Sequence, residues 1–334
     1  MTTATGYSDR LLVTGLGGAV GSELAPRLVA LAGEVELVAV FASERSRARF
    51  LANGDPALMN VLRVEVCDLS SDRDTHALAS RLPRVPHTLT VHAAINATVH
   101  ATRNVAQLTR NTSERANFLH VSPAGKTGAE RMLRADFADL TPSVFSCSIV
   151  VGHSRTGVIS RFHGLYSWLR LMDHHEIQVV PGGRDRRVDI VPVDWVADEL
   201  AGMIGDLLAG GEPRDVVASA GPAALLLPEL IARVGEALND ERRNDGRKPL
   251  PEISVLGFRQ WDFLRRSIDS RGVAMPAARV LDFAVGAYRP YLADDRVLAP
   301  VGTVQPLPAA STYLDQVVSY WYQRNGGVSH AVAA

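Results

Sequence analysis

Lysine is almost absent from this chain. Of 35 basic residues only Lys126 and Lys248 are lysine, and the rest are arginine. Together with abundant alanine, this usage points to a GC-rich bacterial genome. Against that background a lysine marks a place where arginine does not serve, because arginine is bulkier at its head and cannot give up its proton. Cysteine is as scarce. Cys67 and Cys147 are the two, both in apolar, strand-like surroundings, which fits buried thiols in a reducing compartment and argues against a disulfide framework. No apolar run reaches the ~18 residues of a membrane span. The start, Met1 to Asp9, is polar and lacks the apolar centre of a signal peptide. An excess of charge is missing too: the formal net charge is −1, so neither nucleic acid nor an acidic membrane surface is expected as a partner. The expected location is the cytoplasm.

What is present is a globular composition. Over 334 residues, hydrophobic side chains make up 46% and charged ones 21%. That is enough apolar material for a sizeable core and too little charge for a disordered chain. The length suits a large core domain with a smaller lobe.

The first 150 residues alternate short apolar runs with helical patterns. Leu11–Thr14, Val35–Phe41, Leu62–Val66, Thr88–His92, Phe118–Ser122 and Val144–Val151 read as strands. Helical patterns fall between them at about 19–32, 44–53, 71–81, 99–110 and 126–137. Such alternation implies a parallel sheet with helices on both faces, and near-continuous apolar strands agree. After Val151 the pattern loosens. Trp195–Leu208 and Pro228–Leu238 read as helices, Val216–Ala220 as a strand, and Asn239–Arg247 as an exposed polar loop. Pro251 to Gly302 resembles a small helical lobe, Thr312–Gln323 suits a last amphipathic helix, and the tail after Asn325 is expected to be mobile.

Val13-Thr14-Gly15-Leu16-Gly17-Gly18-Ala19-Val20-Gly21 follows the first strand and opens a helix. Gly15, Gly18 and Gly21 have separate tasks in a dinucleotide loop: a tight turn, close approach of backbone to pyrophosphate, and close helix–strand packing. The helix N-terminus then offers free N–H groups to phosphate. The fold expected is therefore α/β, a Rossmann-type doubly wound parallel sheet. Residues 1–155 form the dinucleotide-binding core, and 156–334 a smaller, mainly helical C-terminal substrate lobe with some elements returning to the core. The second strand runs into Ala42-Ser43-Glu44-Arg45-Ser46-Arg47, with no acid at the strand end to bond a ribose 2′-hydroxyl. Ser43, Arg45 and Arg47 can bind a 2′-phosphate, which favours NADP(H) over NAD(H), although a solvated helix face uses arginine equally well. Asp68 either bonds the adenine amino group or caps the next helix.

Thr14–Gly21, Cys67-Asp68-Leu69, His92-Ala93-Ala94 and Arg103-Asn104-Val105 occur in the order seen in extended short-chain dehydrogenase/reductases. Val150 to Gly157 and Arg187 to Asp198 resemble one branch, the thioester reductase-like and fatty acyl-CoA reductase-like proteins. The resemblance is good over residues 10–210 and faint to Leu292. It implies NADP(H)-dependent reduction of a thioester or carbonyl, with Ala93 beside the cofactor and a substrate that is a small molecule or is carrier-bound. Members use Ser, Tyr and Lys. The tyrosine gives a proton to the developing alkoxide, and the lysine holds the nicotinamide ribose and lowers the tyrosine pKa.

Here the sequence departs from the family. Phe118-Leu119-His120-Val121-Ser122 ends the strand, and Lys126-Thr127-Gly128-Ala129-Glu130 resembles the lysine helix, but Ser122 stands where the tyrosine would be, four residues before Lys126. Ser122 corresponds to the strand-end serine and Lys126 to the ribose ligand. The family's intervening segment is missing, and the loop after Ala94 is short as well. A serine hydroxyl is a poor proton donor near neutrality. Tyr166, His120 and His153 are the candidates to replace the tyrosine. His174-His175-Glu176 lacks metal-ligand spacing, so no metal is expected. Three readings follow: an NADP(H)-dependent reductase with a non-standard donor; a non-redox cyclase, isomerase, lyase or dehydratase on the same fold, with or without cofactor; and a non-catalytic nucleotide-binding protein. A homodimer is left open.

Overall fold

The computed structural model describes residues 9–31, 35–54, 56–94, 97–123, 128–270 and 299–326, with positions 282, 285, 286 and 289. Lys126 lies outside these. The chain divides into two units, one of 1–148, 193–218 and 300–305, the other of 149–192, 219–299 and 306–334.

The first unit is built on a seven-stranded sheet. Its strands are β1 (Asp9–Thr14), β2 (Glu36–Phe41), β3 (Leu62–Val66), β4 (Val85–His92), β5 (Ser113–Pro123), β6 (Ser143–Cys147) and β11 (Val216–Ala218). The order is β11-β6-β5-β4-β1-β2-β3, every pair parallel. Consecutive parallel strands need crossovers, which α1 (Ala19–Leu24), α2 (Glu44–Asn53), α3 (Pro56–Met59), α4 (Asp72–Arg81), α5 (Val99–Thr112) and α6 (Gly128–Asp136) supply. Both faces of the central strands are covered: Leu11, Leu12 and Val13 are all fully buried, and so are the polar Arg10 and Thr14 of the same strand. One face packs Leu12, Val38, Val40 and Phe118 against Leu78, Val105 and Leu133 of α4, α5 and α6. On α8 (Val193–Leu208), the Asp198 carboxylate takes Arg27 Nε at 2.5 Å. The buried Glu199 carboxylate accepts the N–H groups of Val304 (3.0 Å) and Gln305 (2.5 Å) and so holds 300–305 to this unit.

The helical pattern at 19–32 is α-helical only to Leu24 and continues as a 3₁₀ segment, Ala25–Leu31. Pro26, lacking an N–H, stands where the coil tightens. The apolar run Val144–Val151 is two strands, not one. Ser148 N–H closes the first by donating to Ala218 O, while Ile149–Val151, β7, pairs with β10 (Ile190–Pro192) in the second unit.

That unit has two further short pairs, β8 (Val179–Pro181) with β13 (Ser254–Leu256) and β9 (Arg187–Val188) with β12 (Leu225–Leu226). Around them lie α7 (Leu165–His175), α9 (Leu227–Asn244), α10 (Phe258–Ser270) and α11 (Leu314–Asn325). The polar run expected as a loop at Asn239–Arg247 is helical to Asn244. Asp240 and Arg243 to Gly246 are exposed, as expected, while Arg242 turns inward to an ion cluster. Arg242 is buried and donates to Asp173 Oδ1 at 2.7 Å, with Arg247 on the same oxygen at 2.9 Å. Among the described residues, no helix is long and apolar enough to cross a membrane.

Candidate functional site

The glycine loop lies at the C-terminal end of β1, where the strand order reverses between β1 and β4. In an open α/β sheet this switch point opens a crevice for a ligand. Gly15 has φ +85°, and a Cβ there would lie 2.5 Å from the Ala93 carbonyl. Gly15 and Ala93 are therefore in direct backbone contact, and Ala93 N–H donates to Thr14 O at 3.1 Å. A Cβ on Gly21 would lie 2.2 Å from Gly15 O, so this glycine lets the helix close on the turn. Gly18 N–H donates to Gly15 O at 2.9 Å, and Gly18 is the N-cap of α1 with no side-chain cap. Donors of the first turn are left for solvent or a ligand. The loop fits a pyrophosphate: Leu16, the side chain within it, is buried, and a Cβ on Gly17 would meet nothing within 4 Å.

On the β2–β3 side the sequence candidates take distinct places. Ser43 caps α2, its Oγ accepting Ser46 N–H at 3.3 Å. Arg47 is paired with Glu44 at 2.9 Å. Arg45 is exposed and makes no hydrogen bond or ion pair among the described residues. Asp68 does not cap α4; Ser71 does, accepting Asp74 N–H. Asp68 Oδ1 instead accepts the Ser70 hydroxyl at 2.6 Å and the Ser70 N–H at 2.9 Å, which lowers its pKa. Asn104, a motif residue, bonds Leu69 O at 3.1 Å and ties α5 to that loop.

At the ends of β1, β4 and β5 the register places Thr14, His92 and His120 side by side. Thr102 Oγ1 donates to Thr98 O, so it accepts from His92 Nε2 at 3.2 Å. His92 then carries its proton on Nε2, and its Nδ1 accepts the Thr14 hydroxyl at 2.7 Å. The His120 ring stacks on His92, 5.6 Å between centroids and 19° between planes. His120 Nδ1 is buried with no partner. Burial lowers the pKa of His120 to about 4. Burial, then the neighbouring His120, lowers that of His92 to about 3. Both rings are neutral at pH 7. Ser122, two residues beyond His120 and so on the same sheet face, is buried, and its Oγ donates to Pro123 O at 3.2 Å.

In the second unit Tyr166 lies on α7, 2% exposed, its Oη accepting Gly152 N–H at 2.7 Å. Burial raises the phenol's pKa, with the Gly152 bond opposing. His153 follows Gly152, and its Nδ1 accepts Arg155 N–H at 3.1 Å. Asp189 accepts the Ser219 hydroxyl at 2.5 Å and Ala220 N–H at 2.8 Å, fixing a turn of this unit. Asp194 lies in the first turn of α8, which begins at Val193.

Structure therefore brings Gly15, Gly18, Gly21 and Ala93 together in one turn, and His120 and Ser122 onto one face of β5. The sequence reading missed His92 as a side chain, although it stood in the His92-Ala93-Ala94 motif. A histidine ending an otherwise apolar strand was the available signal.

Residues 123–200 match the NAD-binding family described as male sterility protein. No curated protein matches the sequence. Among solved structures, the terminal R domain from the myxalamid PKS-NRPS biosynthetic pathway superposes with a TM-score of 0.66 at 16% identity, over 96% of this chain and 92% of that one. The PhqB reductase domain from Penicillium fellutanum gives 0.56 at 14% identity, over 97% and 96%. A dTDP-glucose 4,6-dehydratase from Bacillus anthracis str. Ames, in complex with NAD, gives 0.51 at 13% identity, over 95% and 97%. The fold is that of the extended short-chain dehydrogenase/reductases, and the segment 123–200 matches the branch that the sequence motifs resemble.

Proposed function

We propose that this chain is an NADP(H)-dependent reductase of a carbonyl or thioester whose proton donor is not the family's tyrosine. The observation that carries the reading is the turn at Gly15, pressed onto the Ala93 backbone at the sheet's switch point. In the loop Gly15-Leu16-Gly17-Gly18 the one side chain, Leu16, is buried, which leaves backbone to meet a pyrophosphate. Arg45, exposed and unengaged among the described residues, would take the 2′-phosphate. Asp68 would face the adenine side, and Lys126 the nicotinamide ribose. When bound, the nicotinamide supplies the hydride. The chain would supply Ser122, whose Oγ–H now donates to Pro123 O and would turn to the substrate carbonyl oxygen on binding.

The second unit would hold the substrate, a small molecule or an acyl group on a carrier, as the reductase-domain likenesses suggest. Tyr166 Oη accepts Gly152 N–H, which leaves its own proton uncommitted by that bond, but burial raises the phenol's pKa and makes it a poorer acid. A non-redox reaction on the same fold is the second reading. It is favoured by Ser122 standing four before Lys126 in place of a phenol. It would keep the cofactor without net turnover.

Calorimetric titration with NADPH, NADP⁺, NADH and NAD⁺ tests the reading. NADPH is expected to bind in the micromolar range. Arg45→Ala should weaken NADPH roughly tenfold to a hundredfold, the scale of a charge-assisted hydrogen bond, and leave NADH unchanged. No binding of any of the four would overturn the proposal.

A further inference from the structure

The two histidines at the strand ends are treated differently by the fold. His92 is fully committed, with one nitrogen accepting from Thr14 and the other donating to Thr102. The ring of His120, its stacked neighbour, makes no hydrogen bond among the described residues: Nδ1 is closed off without a partner, so Nε2 is the nitrogen that a ligand could reach. The residue is 6% exposed. A histidine kept only for packing normally has its nitrogens satisfied, as His92 has. An uncommitted imidazole at the ligand edge of a parallel sheet is a group left for something that binds there.

Strand order says which part of a dinucleotide that is. With the pyrophosphate at the β1 turn, the adenosine half runs over β2 and β3, toward Ser43, Arg45 and Asp68. The other half must run over β4 and β5. There, Thr14, His92 and His120 form one row across the sheet, and Ser122, also buried, stands one step nearer the edge on the same face. A neutral imidazole has one N–H to give and suits a neutral oxygen.

We propose that His120 is the hydrogen-bond donor to the carboxamide oxygen of the bound nicotinamide, with His92 as the positioning residue that holds its ring. This rests on the dinucleotide reading above. It makes His120 a cofactor-orienting group rather than a replacement for the missing tyrosine.

The test uses the full chain labelled with ¹⁵N-histidine. Ring-nitrogen resonances are followed as NADP⁺ or adenosine 2′,5′-bisphosphate, which lacks the nicotinamide half, is added. NADP⁺ should shift the His120 ring nitrogens, identified by their loss in His120→Gln, and the fragment should leave them in place. In calorimetry, His120→Phe should lower NADP⁺ affinity roughly tenfold, the loss of one hydrogen bond, with the fragment's affinity unchanged. The wild-type shifts stand whether or not the phenylalanine variant folds. Saturating NADP⁺ that leaves His120 unmoved, or a variant that weakens both ligands alike, overturns the role given to His120 and leaves the dinucleotide site intact. Failure of the wild type to bind either ligand overturns both proposals together.

Discussion

Acid should unfold this protein through its two buried histidines before its carboxylates matter. An exposed histidine titrates near 6.5. In the fold, His92 is lowered to about 3 and His120 to about 4, chiefly by burial. Above pH ~6.5 neither the folded nor the unfolded chain carries a proton on these rings, and the stabilisation is complete. Below it the unfolded chain takes up protons that the folded chain refuses, so stability falls with pH by about 1.4 kcal/mol per unit for each ring. The loss continues until the folded pKa is reached. At pH 5 it amounts to about 2 kcal/mol per histidine, or about 4 kcal/mol for the pair, a large part of a typical domain's stability. Carboxylates held low by hydrogen bonds, such as Asp68 and Asp139, act at lower pH. The assay is urea denaturation at pH 7 and pH 5, on the wild type and on His120→Phe. The variant should lose about half as much stability between the two pH values as the wild type. Equal losses in the two proteins, or midpoints that do not move between pH 7 and pH 5, would refute the argument that burial keeps these rings neutral.

Gly15→Ala should abolish dinucleotide binding and destabilise the first unit. Its φ of +85° disfavours a side chain, and the new Cβ would meet the Ala93 backbone at 2.5 Å; calorimetry and thermal melting read the two effects. Asp173→Ala strands two arginines, one of them 3% exposed, and should cost about 3–5 kcal/mol in chemical denaturation. Replacing Glu199 by alanine should release the Val304 and Gln305 amides it accepts. Faster hydrogen exchange at those two amides, with little change in the central strands, is the expected result.

Much of the core was legible in residue order. Six apolar runs within the first 150 residues mark strands because a parallel sheet buries both faces, and the helices between them follow from crossover geometry. The glycine turn was legible for a related reason: its constraint is local, a positive φ and a missing Cβ. The run Val144–Val151 was read as one strand because hydropathy carries no mark where a chain leaves one sheet for another. Asn239–Arg247 was read as an exposed loop; most of it is exposed, but it is helical to Asn244 and Arg242 is buried in an ion cluster. Its partners, Asp173 and Glu176, lie some seventy residues earlier.

What the sequence determined by itself is the class of the fold and the place of the glycine turn, both set by short-range pattern and backbone sterics. Tertiary structure alone decided how the polar groups are used. His92 and His120 are 28 residues apart in the chain and stack only because β4 and β5 pair in that register. Whether a histidine is committed to Thr14 and Thr102 or left uncommitted depends on what the fold brings within about 3 Å, the reach of a hydrogen bond, and residue order does not encode that distance.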